Sequence, residues 1–359
     1  MNIAIVRLSS LGDIILGMPL LQFIRKHLPD CRITWVSDSR FADILDHQPD
    51  IQSIIKFDLK KLKKQGSLAG LVKEYRQLTS AGPFDAIIDL HGMLKSAVTA
   101  AILGGRRYGF DRKMLKEPLS SLFYNKTFPI PLELPATCRF ASLGMRSLGL
   151  PFRESDLSAI KPFLFWSERD LAISDSFFSK ERRNIIFVPE TSADYKNYPP
   201  EKFGLLADML GENILICHGN QQELGTATRI AGNTRYARVL PRLTLNELKA
   251  AIGRADLVIG GDSGPTHIAW GCGVPSITLF GATPVCIWPT RRNRIIKTPS
   301  PVNYLRYDPR DRSLHEISED SILCLARDLL NLSRSESEVT TPWHCTDFHE
   351  PNCSSAARG

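Results

Sequence analysis

The residues best equipped for chemistry stand at the ends of short apolar runs, each just ahead of a helical pattern. The densest group is Gly260-Gly261-Asp262-Ser263-Gly264-Pro265-Thr266-His267. It follows an apolar run at 255–259 that reads as a buried strand, and it precedes a helix start at 268–271. A strand, a glycine-rich turn and a helix N-terminus make an anion site. Glycines let the backbone approach a ligand and permit positive φ, and the unpaired N–H groups of a first helical turn favour a phosphate. Asp262 adds a carboxylate able to hold a hydroxyl. The same residues also fit a tight turn with an N-cap and no ligand.

Four more groups share this placement. Ser9-Ser10-Leu11-Gly12-Asp13 follows the run at 2–7, at the strand end where open parallel sheets bind ligands. It is neither a G-x-G-x-x-G fingerprint nor a P-loop, which argues against a conventional nicotinamide site in the first half. Asp13 suits either a helix dipole or a general base. Asp89-Leu90-His91-Gly92-Met93-Leu94-Lys95-Ser96 repeats the strand-glycine-helix pattern with Lys95 one turn in. In the polar stretch 189–199, Thr191 and Ser192 offer hydroxyls and Lys196 a cation suited to a pyrophosphate, although an ordinary loop has the same composition. Glu223, after His218-Gly219, stands where a carboxylate takes both hydroxyls of a ribose or simply begins a helix.

Two basic stretches complete the set. Lys60, Lys61, Lys63 and Lys64 form a run that reads as a solvated face or as a receptor for acidic ligands or lipid headgroups. Residues 112–126 mix basic and aromatic side chains, but no nucleic-acid-binding module surrounds them. His91, His218 and His267 lack metal-ligand spacing, and structural roles are expected for them. His344, Cys345, His349 and Cys353 are metal-capable chemistry in a tail short of core residues.

The elements that must position these groups follow from periodicity. Strand-like runs at 2–7, 32–36, 51–57 and 84–90 alternate with helical patterns, the first carrying Leu16, Leu20, Phe23 and Ile24 on one face. A second alternation has strands at 184–188, 213–217, 237–240, 255–260 and 276–280, with helices at 200–210, 221–230 and 245–252. Thr244 and Glu247 form a capping box on the last of these. A final helix is expected at 318–332. Such alternation predicts parallel, doubly wound sheets. The expected division is 1–160, a connection at 161–183, a second domain at 184–315, the helix region 316–332 and a mobile tail at 333–359.

The chain's 359 residues accommodate two ordinary domains. A net charge of +7 favours anionic partners. Eight cysteines without framework spacing point to a reducing compartment. The start of the chain lacks an export signal's basic region, and no apolar run reaches a membrane span. A cytoplasmic protein, or one peripheral at a membrane surface, is expected.

Taken in order, Ser9 to Asp13, Asp89 to Ser96, Lys116 to Lys126, Thr191 to Pro199 and Asp262 to His267 resemble the lipopolysaccharide heptosyltransferases, the ADP-heptose-dependent glycosyltransferases of family 9. The likeness runs from about residue 1 to 332. The stretches at 89–96 and 116–125 resemble the branch that adds the first heptose to Kdo on lipid A. The resemblance implies a GT-B fold: two Rossmann-like domains around a cleft, the first for the acceptor and the second for the sugar nucleotide. It implies inversion at the anomeric carbon with Asp13 as base, and no obligatory cofactor, a divalent cation such as Mg being at most an aid. Donor contacts would come from Thr191, Ser192, Lys196, Glu223, Asp262, Ser263, Gly264 and His267, with Lys196 both a catalytic group and the expected partner of Asp262. Acceptor contacts would come from Ser10, Gly12, Lys60, Lys61, Lys63, Lys64, Gly92, Lys95 and Lys116. The implied partners are ADP-heptose, Kdo-lipid A and the inner leaflet of the membrane, without nucleic acid.

Two departures stand out. Several basic positions that are arginine in the family are lysine here, which gives up bidentate carboxylate recognition. His218 replaces an aromatic expected near the adenine. Two other readings stay open on the sequence: transfer to another core sugar, and a non-catalytic nucleotide-sugar-binding protein on the same fold.

Overall fold

The computed structural model describes residues 1–57, 78–171, 175–304 and 308–331. The chain divides into two compact units. The first is Met1–Phe163 with Cys286–Trp288, and the second is Leu164–Val285 with the chain from Pro289 on. The expected Lys60, Lys61, Lys63 and Lys64 run and the His/Cys tail lie outside the described residues.

The first unit is built on a parallel sheet of β1 (Asn2–Val6), β2 (Arg32–Asp38), β3 (Ser53–Phe57), β4 (Ala86–Asp89), β5 (Arg107–Phe110) and β6 (Lys126–Phe128), in the order β3-β2-β1-β4-β5-β6. The central strands are covered on both faces, so Ile3, Ala4, Ile5, Val6, Ile87 and Ile88 are all buried. That is why they read as unbroken apolar runs rather than alternating ones. The expected first helix is two: α1 (Leu11–Gly17) and α2 (Pro19–His27). Proline has no N–H to continue a helical ladder but suits a first helical position, so Pro19 ends one and starts the next. Leu16, Leu20, Phe23 and Ile24 are nevertheless buried as one face. α3 (Leu94–Leu103) follows β4, and α4 (Ala136–Ser147) packs on α1 and α2. A Cβ on Gly144 would lie 2.4 Å from Leu20, so glycine there sets how closely α4 approaches α2.

The second unit repeats the plan. Its sheet holds β7 (Asn184–Val188), β8 (Asn213–Ile216), β9 (Ala237–Val239), β10 (Leu257–Gly261), β11 (Ser276–Phe280) and β12 (Asn293–Lys297), in the order β12-β11-β10-β7-β8-β9. Among the described residues its strand pairings are parallel, as in β10 with β7, where Leu257 faces Ile185 and Gly260 faces Val188. The helices are α5 (Pro200–Leu210), α6 (Gln221–Gly232), α7 (Leu245–Gly253), α8 (Gly264–Gly271) and α9 (Glu319–Leu330). The capping box on α7 is present, Thr244 accepting from the Glu247 N–H and Glu247 from the Thr244 N–H. A core of Ile185, Phe187, Phe203, Leu206, Ile214 and Leu257, among others, joins sheet to helices.

In each sheet the chain winds outward one way and then resumes on the other side of its first strand. The reversal falls between β1 and β4 in the first unit and between β7 and β10 in the second. Loops leaving the carboxyl ends of such strand pairs diverge and open a crevice where ligands bind.

Candidate active site

At the first reversal, β1 delivers Arg7 to Asp13 and β4 delivers Asp89 to Lys95. The Asp13 carboxylate folds back over its own helix start and accepts from the Ser10 N–H at 3.2 Å and the Ser10 hydroxyl at 2.9 Å. Arg7 meets it at 2.7 Å. The guanidinium is almost completely buried, donates to the Leu90 carbonyl at 2.6 Å and lies over the Phe140 ring. Burial pushes the Asp13 carboxyl up, but Arg7 and the Ser10 hydrogen bonds outweigh it and hold the group below the usual carboxylate value. Asp13 keeps 36% of its side chain exposed, so an ionised carboxylate is both held and reachable.

The β4 side closes around this group. The Leu8 N–H donates to His91 Nδ1 at 3.2 Å, tying the ends of β1 and β4 together. Burial, with Arg7 and Lys95 nearby, pushes His91 down to about 2, so it stays neutral and structural. Asp89 is fully buried and accepts from the His91 and Gly92 N–H groups and from Tyr124 Oη at 2.8 Å. Gly92 takes φ +69°, and a Cβ there would lie 2.5 Å from Leu115. Lys95 Nζ donates to Ser9 Oγ at 3.1 Å. Burial pulls Lys95 below the usual ammonium value even with Asp38 close by. Arg7 is thus the cation that meets Asp13, while Arg40 is held by Asp38 at 2.8 Å. Lys116 is exposed on the segment after β5.

At the second reversal, the loop after β7 carries Lys196 to the end of β10. Lys196 Nζ lies 2.5 Å from Asp262 Oδ2, and His267 Nε2 lies 3.1 Å from Asp262 Oδ1. All three are largely buried, at 17%, 11% and 3% side-chain exposure. Burial pushes the Asp262 carboxyl up, and Lys196, followed by His267, more than reverses this and holds it far below the usual range. Ser263 is the N-cap of α8 in extended conformation, and Gly264 and Pro265 open the helix. The first-turn N–H groups therefore begin beside the Lys196–Asp262 pair.

The glycines here serve a purpose other than the expected one. Gly260 and Gly261 do not have positive φ. A Cβ on Gly260 would lie 2.6 Å from the Val188 carbonyl, and one on Gly261 would lie 2.6 Å from the Lys196 carbonyl. What approaches the backbone is the protein's own loop, which is how Lys196 comes to be seated against Asp262.

The remaining expected residues are more dispersed. Thr191 shapes the Lys196 loop, receiving Asn197 Oδ1 on its N–H at 2.8 Å and donating its hydroxyl to the Ala193 carbonyl. Ser192 is exposed. Glu223 is engaged by its own turn, accepting from the Gly219 N–H at 2.6 Å and from Asn220 Nδ2 at 2.5 Å. His218 Nε2 sits 3.1 Å from the Leu240 carbonyl. Cys217 and Cys272, both pushed up to about 12 by burial, are inert thiols.

Arg7 is the important group that the sequence reading left out. Its signal was a cation closing an apolar strand six positions before an acid. Glu117 was also missed: its Oε2 accepts from the Leu94 N–H at 2.6 Å and caps α3.

Comparison with known proteins gives this geometry a context. The model of the family described as "Glycosyltransferase family 9 (heptosyltransferase)" matches residues 72–303. The lipopolysaccharide heptosyltransferase 1 of Campylobacter coli is 33% identical over 92% of this chain and 99% of its own. The solved structure of E. coli heptosyltransferase WaaC with ADP has a TM-score of 0.74 at 23% identity, over 92% of this chain and 100% of that one. The same enzyme with ADP-2-deoxy-2-fluoro heptose gives 0.71 at 23% identity, over 91% and 99%. The two parallel sheets described above are the GT-B fold of these structures.

Proposed function

The chain belongs to glycosyltransferase family 9, and from that premise we propose that it transfers L-glycero-D-manno-heptose from ADP-heptose to a Kdo residue of Kdo-lipid A, with inversion. The observation that carries the reading is the pairing of roles at the two sheet reversals. One holds an ionised, reachable carboxylate beside a buried arginine, and the other holds a lysine beside a helix N-terminus.

Asp13 accepts the proton of the acceptor hydroxyl as that oxygen bonds to C1 of the heptose. The C1–O bond to the β-phosphate breaks, and ADP leaves with the electron pair. The growing charge on the leaving phosphate falls to Lys196 and the N–H groups that open α8. Such groups act because they are already aimed where charge develops. Asp262 and His267 hold heptose hydroxyls, Thr191, Ser192, Ser263 and Gly264 flank the phosphates, and Glu223 takes the ribose after releasing its own turn. On the acceptor side, Ser10, Gly12, Gly92, Lys95 and Lys116 meet Kdo, with Lys60, Lys61, Lys63 and Lys64 receiving carboxylates or lipid A phosphates. The scheme has no step that requires a cofactor.

The test is a transfer assay with purified protein, ADP-heptose and Kdo-lipid A, following ADP release and the mass of the lipid product. Transfer to Kdo with inverted anomeric configuration is expected. Donor binding without ADP release would sink the enzymatic reading, and release only with a heptose-bearing acceptor would reassign the substrate.

A further inference from the structure

Among the described residues, seven large apolar side chains are exposed. Four of them, Leu94 at 42%, Val98 at 39%, Leu119 at 59% and Leu122 at 75%, come from two elements that pack together. Leu94 and Val98 are one turn apart on α3, so they stand on one face. Leu119 and Leu122 are three apart in the 3-10 helix Pro118–Phe123, where residues three apart eclipse. This outward presentation is firmly supported. Glu117 caps α3 at Leu94, the buried Ser120 hydroxyl lies 3.2 Å from the Gly92 carbonyl, and Tyr124 is fixed on Asp89.

The rim of the patch is cationic. Arg112, Lys113 and Lys116 are exposed. Within the same stretch Asp111 accepts from the Lys113 N–H and Glu117 from the Leu94 N–H. Leucines ringed by lysine and arginine match the interface of a bilayer carrying anionic lipid: apolar chains enter below the headgroups and cations meet the phosphates. A second protein would instead need an acidic, concave complement. The patch also adjoins the chemistry, because Lys95, next to Leu94, bonds Ser9 beside the Asp13 turn.

We propose that the face made by α3 and the 118–123 turn seats this protein on an anionic phospholipid bilayer and so presents Asp13 to a membrane-borne acceptor. The second clause rests on the lipid-linked acceptor proposed above, whereas the lipid contact can be tested without it.

The experiment is co-sedimentation of the whole protein with vesicles of phosphatidylglycerol and phosphatidylethanolamine, against phosphatidylcholine alone, with no donor or acceptor present. Binding to the anionic vesicles, weakened by salt, is expected. L119S/L122S should lower the partition coefficient about tenfold or more through lost apolar burial. R112Q/K113Q should lower it by a similar factor and flatten its salt dependence. Unchanged far-UV circular dichroism, and unchanged transfer to a Kdo saccharide lacking lipid, would show that L119S/L122S is folded. Wild-type binding by that variant would overturn the proposal, as would absence of wild-type binding to anionic vesicles. A wild-type dimer that L119S/L122S dissociates would overturn it too, assigning the face to a second copy. Vesicle binding without any transfer would fault the proposed reaction and leave the lipid contact standing.

Discussion

Replacing Lys196 with methionine isolates the role of the buried pair in the second unit. The ammonium and the Asp262 carboxylate are 17% and 11% exposed, too enclosed to be discounted as a screened surface pair. Methionine keeps much of the side chain's length and apolar stem but strands the carboxylate. Breaking a buried pair from one side costs about 3–5 kcal/mol. For a unit of this size each kcal/mol shifts Tm by roughly 2–4 °C, so a fall of about 6–20 °C is expected. His267, still 3.1 Å from the other carboxylate oxygen, favours the lower half of that range. The pH dependence has a definite sign. A carboxyl depressed by folding stabilises above its unfolded pKa of about 3.9, and this is lost as pH falls through the folded value. The gap in Tm between wild type and K196M should be flat at about pH 6–8 and narrow below about pH 4. Thermal unfolding followed by circular dichroism measures it, with K196M/D262N as the control. With no charge to strand, the double variant should regain most of the stability and none of the transfer activity. A K196M protein within about 2 °C of wild type at neutral pH would refute the argument that Lys196 holds Asp262, and so would a double variant no more stable than the single.

Other outcomes follow from the same geometry. D13N should lower kcat about 10²–10⁴-fold with donor affinity unchanged, and near-normal turnover would remove Asp13 as the base. R7M takes away the charge that depresses the Asp13 carboxyl, so the acid limb of the kcat/KM profile should move to higher pH; an unmoved limb would show that Arg7 does not set that ionisation. G261A puts a methyl 2.6 Å from the Lys196 carbonyl, an overpacking expected to cost about 1–3 kcal/mol in denaturant titration and to raise the donor KM. Y124F leaves buried Asp89 short of one donor, for which a loss of about 1–3 kcal/mol is expected without a change in donor affinity.

Much of the architecture was legible because physics wrote it locally. The run at 184–188 coincides with β7, whose five residues are all buried, and 200–210 coincides with α5, opened by Pro200 and closed by Gly211 in the left-handed region. The strands that escaped notice, β5, β6 and β12, are short or carry Arg107, Lys126, Arg294 and Lys297. Lying away from the sheet centres, they need less apolar surface and lose the signature. The Asp262, Lys196 and His267 cluster was readable as parts, since strand ends and a helix start mark where ligands bind. Its assembly was not, because the packing of Gly261 under the Lys196 carbonyl is a long-range event. Arg7 was hidden for a different reason: it lies only six residues from Asp13, but spacing alone does not show that the turn between them folds the carboxylate back onto the strand end.

The seat of Lys196 on Gly261 has one more consequence. Its backbone carbonyl rests where no side chain fits, and its ammonium is bonded to the neighbouring residue, Asp262. The side chain is thus tethered at both ends before any phosphate arrives. Ordering a free lysine costs about 1.5–2 kcal/mol in rotamer entropy, and here folding has already absorbed that loss. A phosphate leaving beside it would meet a cation that need not be recruited from solvent, so little reorganisation would remain for the moment of bond cleavage.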